Sequence, residues 1–226
     1  MRKQYWVFIF LFILLVHIIS IAAGWLLIEQ ITKIALVPVL AGYFLWNVNA
    51  VLSPMKKWVV TALIFSWIGD VLLMLVDIDT AFFLAGLGSF LIAHIFYIIF
   101  FHSIRIAENV ESRPILLLPV LIYYIALMIV LSPNLGGMKL PVRIYGVVIC
   151  FMLMLAAHVA YIKKRKAGIM MLAGALLFVL SDSVLAINKF YHQFAGAGII
   201  IMLTYGIAQL LITEGAASYI KDEVQK

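Results

Sequence analysis

The sequence predicts an all-α fold, a polytopic membrane helical bundle of about eight transmembrane helices. Of the 226 residues, 66% are hydrophobic and only 12% are charged, whereas a soluble globular domain is about half apolar and a quarter charged. The apolar runs are continuous and about 20 residues long, the length at which a helix crosses a bilayer. Strands of a transmembrane barrel would instead alternate over segments of about ten residues. Because unpaired backbone groups are costly in lipid, these runs must be helices.

Short connections with turn residues separate the apolar runs. They contain Ser53-Pro54, Arg113-Pro114 and Gly136-Gly137, which are typical of turns. No connection is long enough to form a second folded unit, so we expect a single transmembrane domain over residues 1–226. The predicted spans are 5–25, 31–50, 57–77, 80–103, 114–132, 141–162, 167–188 and 193–213.

The basic residues predict the orientation. With a cytoplasmic N-terminus, 12 of the 16 Lys and Arg lie on the cytoplasmic side, and the opposite loop from Asp77 to Asp79 carries two acids and no base. Because short cytoplasmic loops are enriched in Lys and Arg, we expect both termini to be cytoplasmic, in a bacterial inner membrane. The net charge of +6 then belongs to the membrane-facing fringe and implies no nucleic-acid partner. The twelve residues are Arg2, Lys3, Lys56, Lys57, Arg105, Arg113, Lys163, Lys164, Arg165, Lys166, Lys221 and Lys226.

Two carboxylates fall inside predicted spans, where an ionisable residue costs about 2.5–3.5 kcal/mol at the helix centre. Asp70 lies in span three, and Asp182 lies between two serines in span seven. At about 1.5 Å per residue, both lie in the outer half of the membrane at similar depths. We predict that they act as a pair. The alternative is that each fixes helix packing by capping a hydroxyl or pairing with a lysine.

A short internal similarity favours the pair. The segment 62–65 (Ala-Leu-Ile-Phe) precedes Asp70, and the segment 175–178 (Ala-Leu-Leu-Phe) precedes Asp182. The segments are four spans apart, which would relate two parallel four-helix halves by an axis along the membrane normal. A chance match between two apolar helices explains the similarity equally well.

Two lysines lie on the outer side of the acids. Lys189 is seven residues, or two helical turns, beyond Asp182 on the same face, and Lys33 opens span two from the same side. Each lysine either holds a substrate phosphate or extends to the headgroup level, as most interfacial lysines do.

Other polar residues lie within the spans. His94, with Tyr97 one turn on, is either a proton relay or a packing residue, and His17 is interpreted as packing. Tyr205 and Gln209 share one face of span eight, where they either form interhelical hydrogen bonds or line a pocket. No motif has the spacing of metal ligands, so neither a metal nor a cofactor is predicted. The alternative is a metal site assembled from His and Asp on different helices.

Six sequence blocks are spread over nearly the whole chain. They are residues 32–33 with Pro38, 65–74, 90–97, 174–183, 188–190, and 204–205 with 208–209. This set resembles the lysoplasmalogenase (YhhN-like) family, with one departure at Ile34, where the family often has proline. The resemblance implies an enzyme that hydrolyses the vinyl-ether bond of lysoplasmalogens, which are lysophospholipids drawn from the membrane lipids. The products would be a fatty aldehyde and glycerophospho-ethanolamine or -choline.

The resemblance also implies roles for residues. It makes Asp70 and Asp182 the catalytic acids, which would act by acid–base chemistry. We expect Lys33, Lys189 and Asn188 to bind the substrate phosphate. The remaining candidate substrate-binding residues are Ser66, His94, Tyr97, Tyr205 and Gln209.

The alternative function is a proton-coupled small-solute transporter that uses the same two acids. Transporters often have spans interrupted by Gly or Pro at matching positions in both halves. The interior prolines here, Pro38 and Pro119, lie in spans two and five, which do not correspond in a four-span repeat. The prolines therefore favour the hydrolase.

Overall fold

The computed structural model describes residues 3–223, which form eight long helices. Each helix is long and apolar enough to cross a membrane, and residues 3–223 contain no strand. The predicted all-α bundle of eight spans is therefore confirmed, and the chain is an integral membrane protein. The helices are α1 (Lys3–Ala23), α2 (Leu26–Asn47), α3 (Lys56–Met74), α4 (Ala81–Ala107), α5 (Leu117–Leu131), α6 (Lys139–Val159), α7 (Arg165–Ala186) and α8 (Ala197–Glu223).

Helix α2 begins earlier than predicted. It starts at Leu26 rather than at residue 31, because the chain turns sharply after α1. Gly24 has a φ of +70°, a left-handed conformation that favours glycine. The polar Glu29, which the sequence placed in a connection, therefore lies in the first turn of α2.

Helix α8 ends later than predicted, at Glu223 rather than at residue 213. Ala216 and Ile220 are fully buried, so the packed face of the helix continues through its last turns. Glu214 follows the predicted end, but its carboxylate accepts a hydrogen bond from the Tyr43 hydroxyl inside the bundle. Glu214 and Glu29 therefore both lie, like Asp70 and Asp182, in helices long enough to span the membrane.

The most extensive helix interfaces are α7 with α8 and α3 with α4. Glycines permit both close approaches. A Cβ added at Gly174 would lie 2.8 Å from the Ala208 carbonyl oxygen, and one at Gly69 would lie 2.7 Å from the Phe90 ring. Small residues let transmembrane helices pack backbone to backbone. Because α3 carries Asp70 and α7 carries Asp182, these interfaces position both intramembrane acids.

The pairing of the helices is similar in the two halves of the chain. Helix α2 packs on α3 as α6 packs on α7, and the contact of α4 with α6 has its counterpart in that of α8 with α2. Helix α5 departs from this pattern, because only Val120 and Leu131 of its residues are buried. The arrangement as two parallel four-helix halves stays a prediction.

Part of the charge pattern used for the orientation lies outside the described structure. Arg2 and Lys226 fall outside residues 3–223, and the side chain of Lys3 is not described either. The placement of both termini in the cytoplasm stays a prediction.

Candidate active site

A cavity of about 270 Å³ brings the predicted acids and lysines together. It is bordered by residues near the ends of α1, α3 and α7 and near the beginnings of α2, α4 and α8. Asp70 and Asp182 both border it, and each lies four residues before the end of its helix. Lys33 and Lys189 border the same cavity. Two carboxyl groups and two ammonium groups therefore share one space at one end of the bundle.

Asp70 is held by a chain of hydrogen bonds that starts on α8. The Tyr205 hydroxyl donates to Asp70 Oδ2 at 2.8 Å, and Asp70 is 3% exposed. Gln209 Nε2 donates to the Tyr205 hydroxyl oxygen at 3.3 Å, and the Tyr97 hydroxyl donates to Gln209 Oε1 at 2.7 Å. Tyr205 borders the cavity, whereas Gln209 and Tyr97 reach the acid only through Tyr205.

Asp182 lies where α4, α6 and α7 meet. The Tyr145 hydroxyl on α6 donates a hydrogen bond to Asp182 Oδ2. His94 on α4 places its Nε2 3.7 Å from the same oxygen, and its Nδ1 lies 2.5 Å from the Phe90 carbonyl oxygen. The Asp182 side chain is 16% exposed, and His94 is fully buried. Asp182 thus faces the cavity on one side and a buried imidazole on the other.

Neither acid forms an ion pair with a lysine or arginine in the part of the chain that the structure describes. Within 4 Å of the two carboxyl groups, the basic side chain in residues 3–223 is His94, which lies beside Asp182 and is charged only if it is protonated. Asp70 has the Tyr205 hydroxyl as its hydrogen-bond partner. This arrangement removes lysine pairing as the structural explanation of the two acids.

Lys189 lies on an irregular extension of α7. Residues Ile187–Tyr191 form a π-helical segment, in which the His192 amide donates to the Ile187 carbonyl at 2.9 Å. Such insertions are frequent at functional sites. Lys189 is therefore not on a straight α-helical continuation of α7, yet it borders the same cavity as Asp182.

Three residues of this site were not predicted from the sequence to belong to it. Tyr145 holds Asp182, and Glu29 borders the cavity one turn before Lys33. A tyrosine within an apolar span was the available signal for Tyr145, because a buried hydroxyl requires a partner. Glu29 was missed because the start of α2 was predicted too late. The third residue is His17, which was interpreted as packing but also borders the cavity.

His17 is buried, as packing predicts, but its ring also borders the cavity. Its Nδ1 lies 2.9 Å from Thr32 Oγ1, and that hydroxyl donates its own hydrogen to the Ile28 carbonyl at 2.7 Å. The His17 Nδ1 is therefore the donor, and Nε2 has no hydrogen-bond partner within residues 3–223. The neutral ring offers one unused acceptor beside the cavity.

Five predicted substrate-binding residues do not border this cavity. Ser66 is buried without a hydrogen-bond partner among the described residues. The Asn188 side-chain oxygen accepts a hydrogen bond from the Phe194 amide at 3.1 Å, so it holds the α7–α8 connection. Their contact with substrate stays a prediction. The five are Ser66, His94, Tyr97, Asn188 and Gln209.

Metal ligands are not grouped in the described structure. Within residues 3–223, no three His, Cys, Asp or Glu side chains are arranged as a metal site would require. The chemistry available from the side chains at the cavity is proton transfer, hydrogen bonding and charge stabilisation.

Comparison with known proteins gives the relatives of the chain. Over 180 residues it is 37% identical to human lysoplasmalogenase TMEM86B, a match that covers 78% of this chain and 70% of the relative. Over 163 residues it is 30% identical to the lysoplasmalogenase of Mycobacterium tuberculosis, covering 71% of this chain and 60% of the relative. Rat lysoplasmalogenase TMEM86B is 35% identical over 174 residues, with 76% and 66% covered. No solved structure matches.

The family model of the YhhN family matches residues 28–216. This range includes both acids and all the predicted substrate-binding residues, and it excludes α1. The resemblance found in the sequence blocks is thereby confirmed, and the chain belongs to the YhhN family.

Proposed function

We propose that this protein is a membrane-embedded lysoplasmalogenase. It hydrolyses the vinyl-ether bond of lysoplasmalogens to a fatty aldehyde and glycerophospho-ethanolamine or -choline. The observation that carries the proposal is the pair of carboxyl groups, Asp70 and Asp182, on one cavity within the membrane-spanning bundle. Relatives named lysoplasmalogenase support the reaction type.

The chemistry of a vinyl ether suits two carboxyl groups. Protonation of the β-carbon produces an oxocarbenium ion, water adds to it, and the resulting hemiacetal collapses to aldehyde and alcohol. The reaction needs one group that donates a proton and one carboxylate that stabilises the cation and directs water. Glycosidases divide the same two roles between two carboxyl groups and also pass through an oxocarbenium-like state. Asp70 and Asp182 are our candidates for these roles.

The composition of the cavity wall supports a lysophospholipid as substrate. Lys33 and Lys189 provide positive charge for the phosphate, and Glu29 lies beside them with a negative charge. Phe83 and Phe90 form part of an apolar wall near the acids. Asp182 also borders a smaller cavity of about 40 Å³, which is otherwise lined almost entirely by apolar side chains. The alkenyl chain is expected to lie along this apolar side.

The location of the site in the membrane follows from the charge pattern. Lys33 and Lys189 belong to the minority of four basic residues predicted on the non-cytoplasmic side. We therefore place the cavity at the non-cytoplasmic end of the bundle, with both termini in the cytoplasm, in a bacterial inner membrane. The transporter alternative has no support, because the relatives reported above carry the name of a hydrolase.

Replacing each acid by its amide tests the proposal. Asp70→Asn and Asp182→Asn should each lower the rate of aldehyde release from an alkenyl lysophospholipid by about 10²- to 10⁴-fold, the usual contribution of an acid–base group. Thermal melting should change little, because an uncharged amide of the same shape is tolerated in an apolar site. Asp77→Asn in the α3–α4 connection is the matched control and should keep wild-type activity.

The assay uses purified protein in detergent or in vesicles, with aldehyde quantified after trapping. If either amide variant keeps more than about a tenth of wild-type turnover, that aspartate has a structural role and the paired mechanism is wrong. Absence of aldehyde release by the wild-type protein would refute the proposed reaction itself.

A further inference from the structure

We infer that Asp182, whose Oδ2 faces His94 Nε2 at 3.7 Å, holds the proton that is transferred to the vinyl ether, and that Asp70 accepts the proton of the attacking water. The inference rests on the proposed function, because it assigns the two carboxyl groups their roles in that reaction. It starts from His94, a fully buried residue whose Nε2 has no hydrogen-bond partner within residues 3–223.

The tautomer of His94 follows from its contact with its own helix. Its Nδ1 lies 2.5 Å from the Phe90 carbonyl oxygen, and a carbonyl oxygen only accepts, so the hydrogen is on Nδ1. In a neutral imidazole the other nitrogen, Nε2, is then an acceptor. The ring is held in this orientation by edge-on packing against Phe178, at 4.7 Å between centroids, and Tyr145, at 5.3 Å.

Two acceptors face each other across the gap between His94 and Asp182. Nε2 lies 3.7 Å from Asp182 Oδ2, and neither a bare imidazole nitrogen nor a carboxylate oxygen can donate. One proton between them removes the repulsion and satisfies the buried nitrogen, which would otherwise cost about 1–3 kcal/mol. Shortening the gap by about 0.7 Å gives a normal hydrogen bond.

The proton belongs on the carboxyl group of this pair. An imidazolium would place a charge on the fully buried His94, whereas a carboxylic acid beside a neutral imidazole leaves the pair uncharged. The Tyr145 hydroxyl donates to the same oxygen, Oδ2, which as a carboxyl OH still donates to Nε2. The other oxygen, Oδ1, has no partner in the described residues. When substrate is bound, rotation of the carboxyl group about its Cβ–Cγ bond turns the protonated oxygen from Nε2 toward the cavity, where it meets the vinyl ether. His94 is thus a positioning residue, and Asp182 is the catalytic acid.

Asp70 has the opposite surroundings. Its Oδ2 accepts from the Tyr205 hydroxyl at 2.8 Å, and no acceptor comparable to His94 lies against it within residues 3–223. Lys33 borders the same cavity with a positive charge. With the Tyr205 hydroxyl as donor, Lys33 on the same cavity and no acceptor to share a proton, Asp70 is the group suited to receive one.

The reaction balances with these roles. The Asp182 carboxyl proton goes to the β-carbon, the C=C electron pair forms the new C–H bond, and an oxygen lone pair completes the oxocarbenium ion. Water bonds to the α-carbon as Asp70 takes one of its protons, which gives a neutral hemiacetal. The bond to the glycerol oxygen then breaks and the hemiacetal hydroxyl proton moves to that oxygen, which gives aldehyde and alcohol. The proton on Asp70 returns to Asp182 through water in the cavity.

Rate–pH profiles of single variants test the assignment. The wild-type kcat/KM should rise as Asp70 ionises and fall as the Asp182–His94 pair loses its proton. In Asp182→Asn the residual rate should lose the fall at high pH, and in Asp70→Asn it should lose the rise at low pH. The other titratable groups around the acids are His17, Glu29, Lys33, Tyr123, Tyr124, Tyr145, Cys150, Lys189 and Tyr205.

His94→Asn is the sharpest variant, because the asparagine amide replaces the Nδ1 donor to the Phe90 carbonyl but has nothing at the Nε2 position. It should lower kcat by at least about tenfold, shift the falling limb and leave KM and melting temperature close to wild type. His94→Gln, which has a polar group at Nε2 that cannot take up a proton, should shift the same limb. An unchanged limb in both variants would overturn the role of His94.

Infrared spectra read the proton directly and need no turnover. The carbonyl stretch of a protonated carboxyl group should be present in the wild type and in Asp70→Asn, absent in Asp182→Asn, and shifted in His94→Asn. Loss of the band in Asp70→Asn instead would reverse the roles and overturn the inference. If the wild type releases no aldehyde, the proposed function fails. If both Asp variants are inactive but the band and limbs follow the reverse pattern, only this assignment fails.

Discussion

The Tyr205→Phe substitution isolates the hydrogen bond to Asp70. The Tyr205 hydroxyl donates to Asp70 Oδ2 at 2.8 Å, and the ring, 4% exposed, packs edge-on against Phe178 at 5.4 Å. Phenylalanine keeps the ring packing and removes the donor to Asp70, together with the weaker contact in which the hydroxyl oxygen accepts from Gln209 Nε2 at 3.3 Å. A hydrogen bond to a charged group contributes about 1.5–3 kcal/mol, and about 1.36 kcal/mol is a tenfold change in rate. We expect kcat/KM to fall about 10- to 150-fold, because the hydrogen bond keeps the Asp70 carboxylate ionised and oriented toward the attacking water.

The assay for this variant is aldehyde release from an alkenyl lysophospholipid, with thermal melting measured in parallel. Tyr97→Phe is the matched control, because its hydroxyl belongs to the same chain of hydrogen bonds but contacts Gln209 rather than Asp70. The control should lose less than about threefold, since a neutral hydrogen bond contributes only about 0.5–1.5 kcal/mol to stability and is not made to the reacting group. Equal losses in Tyr205→Phe and Tyr97→Phe would refute a direct role of the Tyr205 hydroxyl at Asp70.

Three further perturbations test the substrate site, the orientation and the packing. Lys189→Ala should weaken kcat/KM by about 1–3 kcal/mol on a lysophospholipid and have little effect on an alkenyl glycerol without phosphate; equal losses on both would mean that the phosphate is bound elsewhere. In a Cys150→Ala background, a cysteine at Lys57 should react with impermeant thiol reagents only from the cytoplasmic side and one at Asp79 only from the opposite side, and reversed labelling would contradict the charge pattern. Gly174→Ala should lower the melting temperature and the activity together, because its Cβ would lie 2.8 Å from a backbone carbonyl of α8 that cannot move aside. An unchanged melting curve would show that α7 and α8 can separate enough to accommodate the methyl group.

The number of helices and the position of both acids on one cavity could be predicted, because a segment inside the membrane has few stable conformations and tolerates few charged residues. A run of about 20 apolar residues has one stable conformation in lipid, so length and composition suffice for the spans. Asp70 and Asp182 are the charged residues in the interiors of α3 and α7, and each lies four residues before its helix end. The cost of burying either acid alone was a sufficient reason to expect them at one site.

The partners of the acids could not be predicted in the same way. Tyr145 reaches Asp182 from α6 and Tyr205 reaches Asp70 from α8, and both contacts depend on how the helices are rotated about their axes. An apolar helix shows little periodicity from which that rotation could be read. Helix α1 likewise has no polar face that would indicate where His17 points, so His17 was interpreted as packing alone. Its ring also borders the cavity.

Polar residues near helix ends caused the errors in the boundaries. Glu29 falls in a predicted connection and Glu214 follows the last predicted span, yet they lie inside α2 and α8. Glu214 is accommodated by the Tyr43 hydroxyl, and Glu29 borders a polar cavity. Hydropathy along one helix carries no information about such partners on another. The π-helical segment that carries Lys189 also has no sequence signal of its own.

Hydrolysis in heavy water tests the central claim most directly. The purified protein is given an alkenyl lysophospholipid in D₂O, the aldehyde is trapped at once by reduction, and its deuterium content is measured by mass spectrometry. Proton transfer from a carboxyl group that has exchanged with solvent places one deuterium on the carbon next to the aldehyde carbon in each product molecule. The Asp70→Asn and Asp182→Asn variants should form almost none of this product. Aldehyde formed without deuterium at that carbon, or formed at wild-type rate by either variant, would contradict acid-catalysed hydrolysis of the vinyl ether by these two residues.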